Sequence, residues 1–354
     1  MNRHTKKLTL DFSSSFIAEA FGLGLMFVQM LLINRWYGVE IYGQFILIVS
    51  ATGLVGSILT ARTSEAVARF YKREKIKPLG KANSVLALGF LVDLITAVCL
   101  VSIIFLLSDF LSLTFLKSEV IGSLIALYSI SVFFLYLRGT IFGYYQAVEK
   151  FAVVNIFKIL NNFISVILLC LFFYGDVYSP LQSIIYSVVL GTAITFFMLM
   201  VTFVFNVLML ENSKSGEISI DSDLAKEYLI FNAKTFVSSA LKFGSTNIDN
   251  LIFGYYITAE VVGLYQTIKK FLTPLAVVSN SLAFIMLAKI VGWYEKGEKV
   301  LMIRKIAELS LYAVSGSFMM AIALYFLLEP YTIFQGIVLT SEIQTSFSII
   351  AFYF

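Results

Sequence analysis

Long apolar runs recur along the whole of this 354-residue chain, with short polar breaks between them. A helix needs about 20 apolar residues to cross roughly 30 Å of hydrocarbon. The composition agrees, because 59% of the residues are hydrophobic and only 14% are charged, far from the values of soluble domains. The pattern predicts an all-α integral membrane protein with about ten transmembrane helices. The runs lie near residues 12–33, 42–60, 85–107, 120–140, 151–173, 181–209, 228–253, 262–288, 303–328 and 332–354.

Basic residues are distributed unevenly over the breaks, and this asymmetry sets the orientation of a multi-pass chain. With the N-terminus in the cytoplasm, nineteen Lys and Arg residues fall on the cytoplasmic side and two, Arg35 and Lys117, on the other. Seven of the nineteen lie between Arg62 and Lys81. The bias predicts a cytoplasmic N-terminus. The same basic segment is also a candidate surface for a partner or for lipid headgroups.

The histidine and cysteine residues offer few candidates for a catalytic or metal-binding site. His4 is the only histidine, and Cys99 and Cys170 both fall inside apolar runs, where a thiol usually acts as a small hydrophobe. No Gly-rich phosphate loop stands between a strand and a helix. We therefore expect no metal, no cofactor and no nucleic-acid partner.

Two segments resemble each other at a shift of 220 residues: LINRWYGVEIYGQF at 32–45 and LIFGYYITAEVVGLY at 251–265. Six runs separate corresponding points, so the two copies have the same orientation. Parallel repeats of this kind are related by an axis along the membrane normal and place a substrate path at their interface. The matching pairs are Glu40 with Glu260, Gly43 with Gly263 and Phe45 with Tyr265.

The repeat predicts three parts of the chain. A six-helix bundle covers residues 1–210, a polar cytoplasmic linker covers residues 211–227, and a second bundle covers residues 228–354.

Several of the predicted spans carry polar side chains at intervals of three and four, which places each set on one helix face. A lysine at the centre of a membrane helix costs about 2.5 to 3.5 kcal/mol, so such faces usually line protein or a water-filled cavity. We therefore expect a hydrated cleft between the bundles. The candidate substrate-binding residues are Lys242, Lys234, Lys158, Thr235, Ser239, Ser245 and Gln29.

Three acidic residues within the spans, Glu19, Asp93 and Asp249, are candidates for coupling transport to H⁺ or Na⁺. Structural alternatives stay open for these groups. Glu19 can form a packing ion pair with Lys242, and Asp93 can form a buried hydrogen bond between helices. Lys158 lies near the cytoplasmic end of its run, where a lysine can snorkel to the interface.

The segments RWYGVEIYGQF and GYYITAEVVGLYQTIKKF each join the first and second helices of a six-helix unit. They resemble the polysaccharide biosynthesis flippases of the multidrug/oligosaccharidyl-lipid/polysaccharide exporter superfamily, and most nearly the O-antigen (Wzx-type) transporters. The resemblance covers the whole chain, although its motifs are loose and mostly structural. That family has twelve helices in two bundles, whereas this sequence stops at IIAFYF within the tenth run. We therefore expect the second bundle to be incomplete in the sequence given.

The resemblance implies that the protein moves an undecaprenyl-diphosphate-linked oligosaccharide, an O-antigen or exopolysaccharide repeat unit, from the cytoplasmic to the periplasmic leaflet of a bacterial inner membrane. Alternating access of the two bundles would drive this movement. Lys242, Lys234 and Lys158 would then contact the diphosphate. The implied partners are the lipid-linked oligosaccharide, membrane lipids, and the polysaccharide polymerase and chain-length machinery.

Two further transporter functions remain as alternatives: a cation-coupled multidrug exporter of the same superfamily, and a lipid II type flippase. The lysines of the seventh run would repel a cationic drug, which favours an anionic substrate. An enzyme is not expected. The longest outer break, SDFLSLTFLKSE, has about a dozen residues, and no nucleophile lies beside a base in the sequence.

Overall fold

The computed structural model describes residues 3–60, 62–76, 81–211, 222–241 and 248–273, with scattered residues between 303 and 326. Side chains are described from residue 20 onward within these ranges, except at 76, 208–211 and 237–241. The described residues are helical apart from short turns, and none of them lies in a strand. The prediction of an all-α chain is confirmed.

The helices follow one another with short connections. The first eight are α1 (Arg3–Tyr37), α2 (Val39–Leu59), α3 (Thr63–Ile76), α4 (Ala82–Leu111), α5 (Gly122–Leu137), α6 (Gly139–Ala147), α7 (Phe151–Gly175) and α8 (Pro180–Glu211). A π-helical turn, Ser112–Leu116, extends α4. They are followed by α9 (Ser222–Leu241) and α10 (Ile248–Tyr256), and residues 259–273 form α11.

Five helical segments of the described chain are long and apolar enough to cross a membrane, and each coincides with a predicted run. The protein is therefore a multi-pass membrane protein. The last predicted run, 332–354, lies outside the described residues, so the total of ten helices stays a prediction. The five segments are Val39–Leu59, Ala82–Leu116, Gly122–Ala147, Phe151–Gly175 and Pro180–Val207.

The basic segment between α2 and α4 forms the helix α3, although the sequence predicts only a polar break there. Its apolar side chains are buried and its basic ones are exposed, so α3 is amphipathic. Charged residues outnumber apolar ones in this segment, which hides the helical spacing of the apolar set. The buried side chains are Ala66, Val67, Phe70 and Tyr71, and the exposed basic ones are Arg69, Lys72 and Lys75.

The fourth predicted run also continues farther than expected. The sequence predicts its end near residue 140, but α6 extends the span to Ala147 after a break at Arg138. Arg138 therefore lies inside the span and not in a cytoplasmic break. Without Arg138, eighteen basic residues lie on the predicted cytoplasmic side and two on the other, so the predicted orientation is unchanged.

The chain divides into two compact units. The first contains residues 1–29 and 36–263, and the second contains residues 30–35 and 264–354. In the second unit, the Asn34 side-chain amide donates a buried hydrogen bond of 2.9 Å to the Thr267 hydroxyl. The division into bundles at residues 210 and 228 stays a prediction.

Within the first unit, α4 and α5, and likewise α7 and α8, pack side by side as hairpins. The ends of α1 and α7 meet, because the Trp36 ring stacks on Phe173 with 4.1 Å between centroids. The Lys117 ammonium, just after α4, donates to the carbonyl of Ile257, just after α10. We call this the Trp36 end and the opposite end, where α3 lies, the α3 end. Aromatic residues at helix ends are typical of a membrane interface.

The repeat-related helices α2 and α11 pack backbone to backbone at the Trp36 end. A Cβ at Gly43 would overlap the carbonyl oxygen of Ala259, and a Cβ at Gly263 would overlap that of Val39. Val39 and Ala259 are themselves related by the shift of 220 residues. The contact is therefore reciprocal, as a two-fold axis between equivalent helices requires. This geometry supports the parallel repeat inferred from the sequence.

Adding one methyl group at this contact is expected to destabilise the protein. Gly43→Ala forces α2 and α11 apart, and overpacking of this kind costs about 1 to 3 kcal/mol. Gly24→Ala is the matched control, since a Cβ there meets nothing within 4 Å. Thermal unfolding in detergent measures both variants. Equal melting temperatures for the two would contradict the close contact.

The predicted orientation is tested by cysteine labelling in a chain with Cys99 and Cys170 replaced by Ala. Val177 is 70% exposed in the turn between α7 and α8 at the Trp36 end. A membrane-impermeant maleimide should label Val177→Cys in intact spheroplasts and Lys75→Cys, on α3, only after permeabilisation. The opposite labelling pattern would mean that the N-terminus faces the periplasm.

Candidate functional site

Helices α1 and α7 carry several of the predicted polar side chains, and one of these, Asn162 of α7, contacts α1. The Asn162 side-chain amide donates to the Gly22 carbonyl at 3.4 Å. Gln29 follows Gly22 by about two turns of α1, and its amide nitrogen is buried without a hydrogen-bond partner among the described residues. The Asn161 side-chain oxygen is also buried without a hydrogen-bond partner among the described residues. Buried polar atoms without partners are rare in native proteins. These two amides therefore keep hydrogen-bonding capacity that a bound molecule could use.

Two of the predicted binding lysines, Lys158 on α7 and Lys234 on α9, are exposed. Neither forms an ion pair with a described side chain. Lys234 lies about 18 Å along α9 from its first residue. The neighbouring Thr235 hydroxyl donates to the Asn232 carbonyl of its own helix at 2.9 Å. Both ammonium groups are therefore available to an anion.

Several predicted site residues fall outside the described part of the chain. Lys242 and Ser245 lie in the interval 242–247, and the side chains of Ser239 and Glu19 belong to helical residues whose side chains are not described. Their roles, including an ion pair between Glu19 and Lys242, stay predictions.

Asp249 is the second residue of α10 and is half-buried, and its carboxylate accepts a hydrogen bond from the Asn250 backbone at 3.0 Å. Asn250 then reaches α2, donating to the Ser50 hydroxyl at 2.9 Å. This second contact was not predicted from the sequence. The sequence did contain a signal for this contact, because polar side chains within apolar runs commonly form hydrogen bonds between membrane helices.

Asp93 on α4 caps another helix. Its Oδ2 accepts 2.6 Å and 2.7 Å hydrogen bonds from the backbone and hydroxyl of Thr140 at the start of α6. A Cβ at Gly139 would lie 2.9 Å from the other carboxylate oxygen. The carboxylate thus satisfies a backbone donor that the break after α5 leaves without a helical acceptor. The geometry is that of the helix-to-helix hydrogen bond considered above.

Helix α3 attaches to α9 through aromatic rings. Phe70 lies 5.5 Å from the Tyr228 ring and 5.7 Å from the Phe231 ring, measured between centroids. The Arg73 guanidinium lies over Phe70 and bonds both Glu227 carboxylate oxygens, at 2.7 Å and 2.9 Å. These bonds raise the pKa of Arg73. The contact was not predicted, because α3 was not recognised as a helix.

Arg138 is a charged residue within a span that was not predicted as a site residue. Its guanidinium lies 5.2 Å from the centre of the Phe142 ring. The space beside it, lined by Phe157, Thr192 and Thr195, is too narrow for a water-sized sphere. The Arg138 side chain is therefore closely packed against its neighbours. Among the described residues, no group of three His, Cys, Asp or Glu side chains is placed to hold a metal ion.

The fold is similar to those of solved membrane transporters. An inward-facing multidrug resistance MATE family transporter of the MOP superfamily aligns with a TM-score of 0.66 and 14% identity over 92% of this chain and 75% of that chain. The MATE multidrug transporter DinF-BH aligns at 0.62 and 16%, covering 98% and 78%. A MOP superfamily transporter from Pyrococcus furiosus aligns at 0.55 and 15%, covering 96% and 76%. At these identities the likeness shows the fold alone.

The class is thus a multi-pass membrane protein with the MOP transporter fold. The family model described as Polysaccharide biosynthesis protein matches residues 8–290, well over half of the chain. The chain belongs to the polysaccharide biosynthesis protein family, which confirms the resemblance found in the sequence. No curated protein matches the chain.

Removing the ring that joins α3 to α9 is expected to destabilise the protein strongly. Phe70 is only 1% exposed, and truncating a buried Phe to Ala costs about 3 to 5 kcal/mol. Phe105→Ala on α4 is the control, because that ring is 64% exposed. Denaturant titration in micelles gives both free energies of unfolding. A loss below about 1 kcal/mol at Phe70 would contradict its role in the contact.

Proposed function

We propose that this protein is a flippase that moves an undecaprenyl-diphosphate-linked oligosaccharide, an O-antigen or exopolysaccharide repeat unit, across the bacterial inner membrane. Membership of the polysaccharide biosynthesis protein family supports the substrate class. The observation that carries the proposal is the pair of exposed lysines, Lys158 and Lys234, which no described carboxylate neutralises.

The charge of such a substrate is concentrated in its diphosphate. A hydrogen bond between an ammonium group and a phosphate oxygen is stronger than one between neutral groups. Lysines already bound to carboxylates would first have to break those pairs. Lys158 and Lys234 offer their charge directly, while the polyprenyl tail stays in the bilayer and only the headgroup enters the cleft.

The polar faces of α1 and α7 supply uncharged contacts for the sugar. The Gln29 and Asn161 amides have polar atoms without a partner in the described part of the chain, and sugar hydroxyls can both donate to and accept from such groups. In this proposal they line one wall of the path, with Lys158 on the same helix as Asn161.

Alternating access is the mechanism that we propose for the movement. The reciprocal contact at Gly43 and Gly263 closes the Trp36 end of the first unit. Separation of α2 from α11 would open that end toward the periplasm. The excess of basic residues at the α3 end supports a cytoplasmic N-terminus, so the headgroup would enter beside α3.

A multidrug exporter and a lipid II type flippase share the same fold. The unpaired lysines weigh against a cationic drug, because like charges repel in a site of low dielectric. They fit either lipid-linked diphosphate. Placement in the polysaccharide biosynthesis protein family favours the oligosaccharide, and the substrate accumulating in cells distinguishes the two.

Deletion of the gene in its host tests this function. Lipid-linked oligosaccharides are quantified by mass spectrometry, and their leaflet is determined by an accessibility assay. Completed oligosaccharide should accumulate on the cytoplasmic leaflet while surface polymer is lost. Unchanged lipid-linked sugars with increased drug sensitivity would instead identify an exporter.

Complementation of that strain tests the lysines. Lys234→Ala should lower the rate of oligosaccharide appearance outside by about ten-fold or more, since a hydrogen bond to a charged group contributes about 1.5 to 3 kcal/mol. Lys226→Ala is the matched control, as it is exposed on the same helix about two turns nearer the N-terminus of α9. Equal rates in the two variants would remove Lys234 from the path.

A further inference from the structure

Arg138 is a cation within a membrane span, and no acidic side chain of the described chain forms an ion pair with it. The helices around it, α4 to α8, have described side chains as far as Val207. The Asp93 carboxylate lies beside the backbone of Gly139, but its Oδ2 accepts both bonds from Thr140. A guanidinium keeps its proton in proteins. The charge of Arg138 therefore calls for an anion that these helices do not supply.

The immediate neighbours of Arg138 are neutral, and most of them are apolar. The hydroxyls of Thr192 and Thr195 donate to the carbonyls of Val188 and Gly191 in their own helix, at 2.8 Å and 2.7 Å. The guanidinium is therefore the group that can donate to an anion at this position. The neighbours include Phe142, Phe157, Thr192, Thr195, Phe196 and Leu199.

The site borders the lipid-facing surface of the protein. Phe134, which also lies beside Arg138, packs on Phe197 of α8 with 5.7 Å between ring centroids. Phe197 is 59% exposed, and an exposed ring within a membrane span contacts lipid tails, which are as apolar as the ring. Arg138 is itself partly exposed, and its nitrogens are not among the described buried atoms that lack a partner. An anion can therefore reach the guanidinium from the lipid side.

The depth of Arg138 matches the level of lipid phosphates. Helix α5 begins with Gly122 near the Trp36 end, and Arg138 lies about 24 Å farther along the helix. The hydrocarbon core is about 30 Å thick, so about 6 Å remains to its boundary at the α3 end. A long basic side chain covers such a distance by extending toward the interface.

We propose that Arg138, flanked by the rings of Phe134 and Phe142, binds the phosphate of an anionic phospholipid in the leaflet at the α3 end. A guanidinium presents two parallel donors to two phosphate oxygens. One unpaired positive charge matches one phosphodiester, whereas a zwitterionic lipid brings a cation of its own. The bound lipid is separate from the transported substrate, and its binding does not depend on the proposed function.

Native mass spectrometry of the purified full chain in detergent tests this site. Bound lipids are counted during titration with dioleoyl phosphatidylglycerol or with dioleoyl phosphatidylcholine. The wild type should hold one phosphatidylglycerol about ten-fold more tightly than phosphatidylcholine. Arg138→Gln should abolish that preference. Arg138→Lys should weaken it several-fold, because lysine keeps the charge but lacks the two parallel donors.

Arg69→Gln is the matched control. The Arg69 guanidinium also lies over a phenylalanine ring, 5.1 Å from the centre of Phe231, but it is exposed on α3. This variant should keep the wild-type preference. Phosphatidylglycerol should raise the melting temperature of the wild type and of Arg69→Gln, but not of Arg138→Gln. Without added lipid, Arg138→Gln should melt no lower than the wild type, which separates a loss of the site from a loss of the fold.

Three results would overturn the proposal. The first is an unchanged preference for phosphatidylglycerol in Arg138→Gln. The second is an equal loss in Arg138→Gln and Arg69→Gln, which would indicate diffuse attraction by the basic α3 end. The third is displacement of the lipid by equimolar undecaprenyl diphosphate, which would assign Arg138 to the substrate. Failure of the proposed function looks different, because gene deletion would leave lipid-linked oligosaccharides in place while phosphatidylglycerol still bound through Arg138.

Discussion

Polar groups that lie within hydrocarbon must be satisfied by protein or by enclosed water, since lipid offers them no hydrogen bond. This constraint explains the contacts that join separate helices here. Asp93 supplies the acceptor that the start of α6 lacks, Asn250 finds Ser50, and Asn162 finds the Gly22 carbonyl. The exceptions are informative for the same reason. Two of the buried amides without partners among the described residues, those of Gln29 and Asn161, belong to the helices that we assign to the substrate path.

A second constraint comes from duplication of the chain. When two copies of a helix meet across a two-fold axis, any side chain on the axis meets its own equivalent. Gly43 and Gly263 avoid that collision by having no side chain. The two glycines therefore allow the repeat-related helices to approach closely. Because the contact is reciprocal, a movement of one helix relative to the other alters the surroundings of both glycines.

The apolar runs were sufficient to predict the helical membrane class and the five confirmed spans, because span length is fixed by bilayer thickness. Two local features could not be read in this way. Helix α3 is short and highly charged, so its four buried apolar residues gave too weak a periodic signal. The continuation of α5 into α6 depends on Asp93, a residue 47 positions from its partner Thr140, and such a distant contact leaves no mark on local hydropathy.

The candidate site could likewise be predicted only in part from the sequence. Exposed charges such as Lys158 and Lys234 were predicted because a lysine within an apolar run is conspicuous by itself. The role of Asp93 was only partly predicted. Its partner Thr140 is an ordinary residue in the sequence, and it gains importance only when folding places it beside that carboxylate. A pattern along the chain identifies a charge more readily than it identifies the neutral groups around it.

The attachment of α3 to α9 has a consequence for ionic strength. Its ion pair is at the surface, where Arg73 and Glu227 keep 37% and 52% of their side-chain area exposed, so salt screens it over about 8 Å under physiological conditions. The rings of Phe70, Tyr228 and Phe231 are insensitive to such screening. The two helices are therefore expected to stay joined when the ionic strength around this end of the molecule changes.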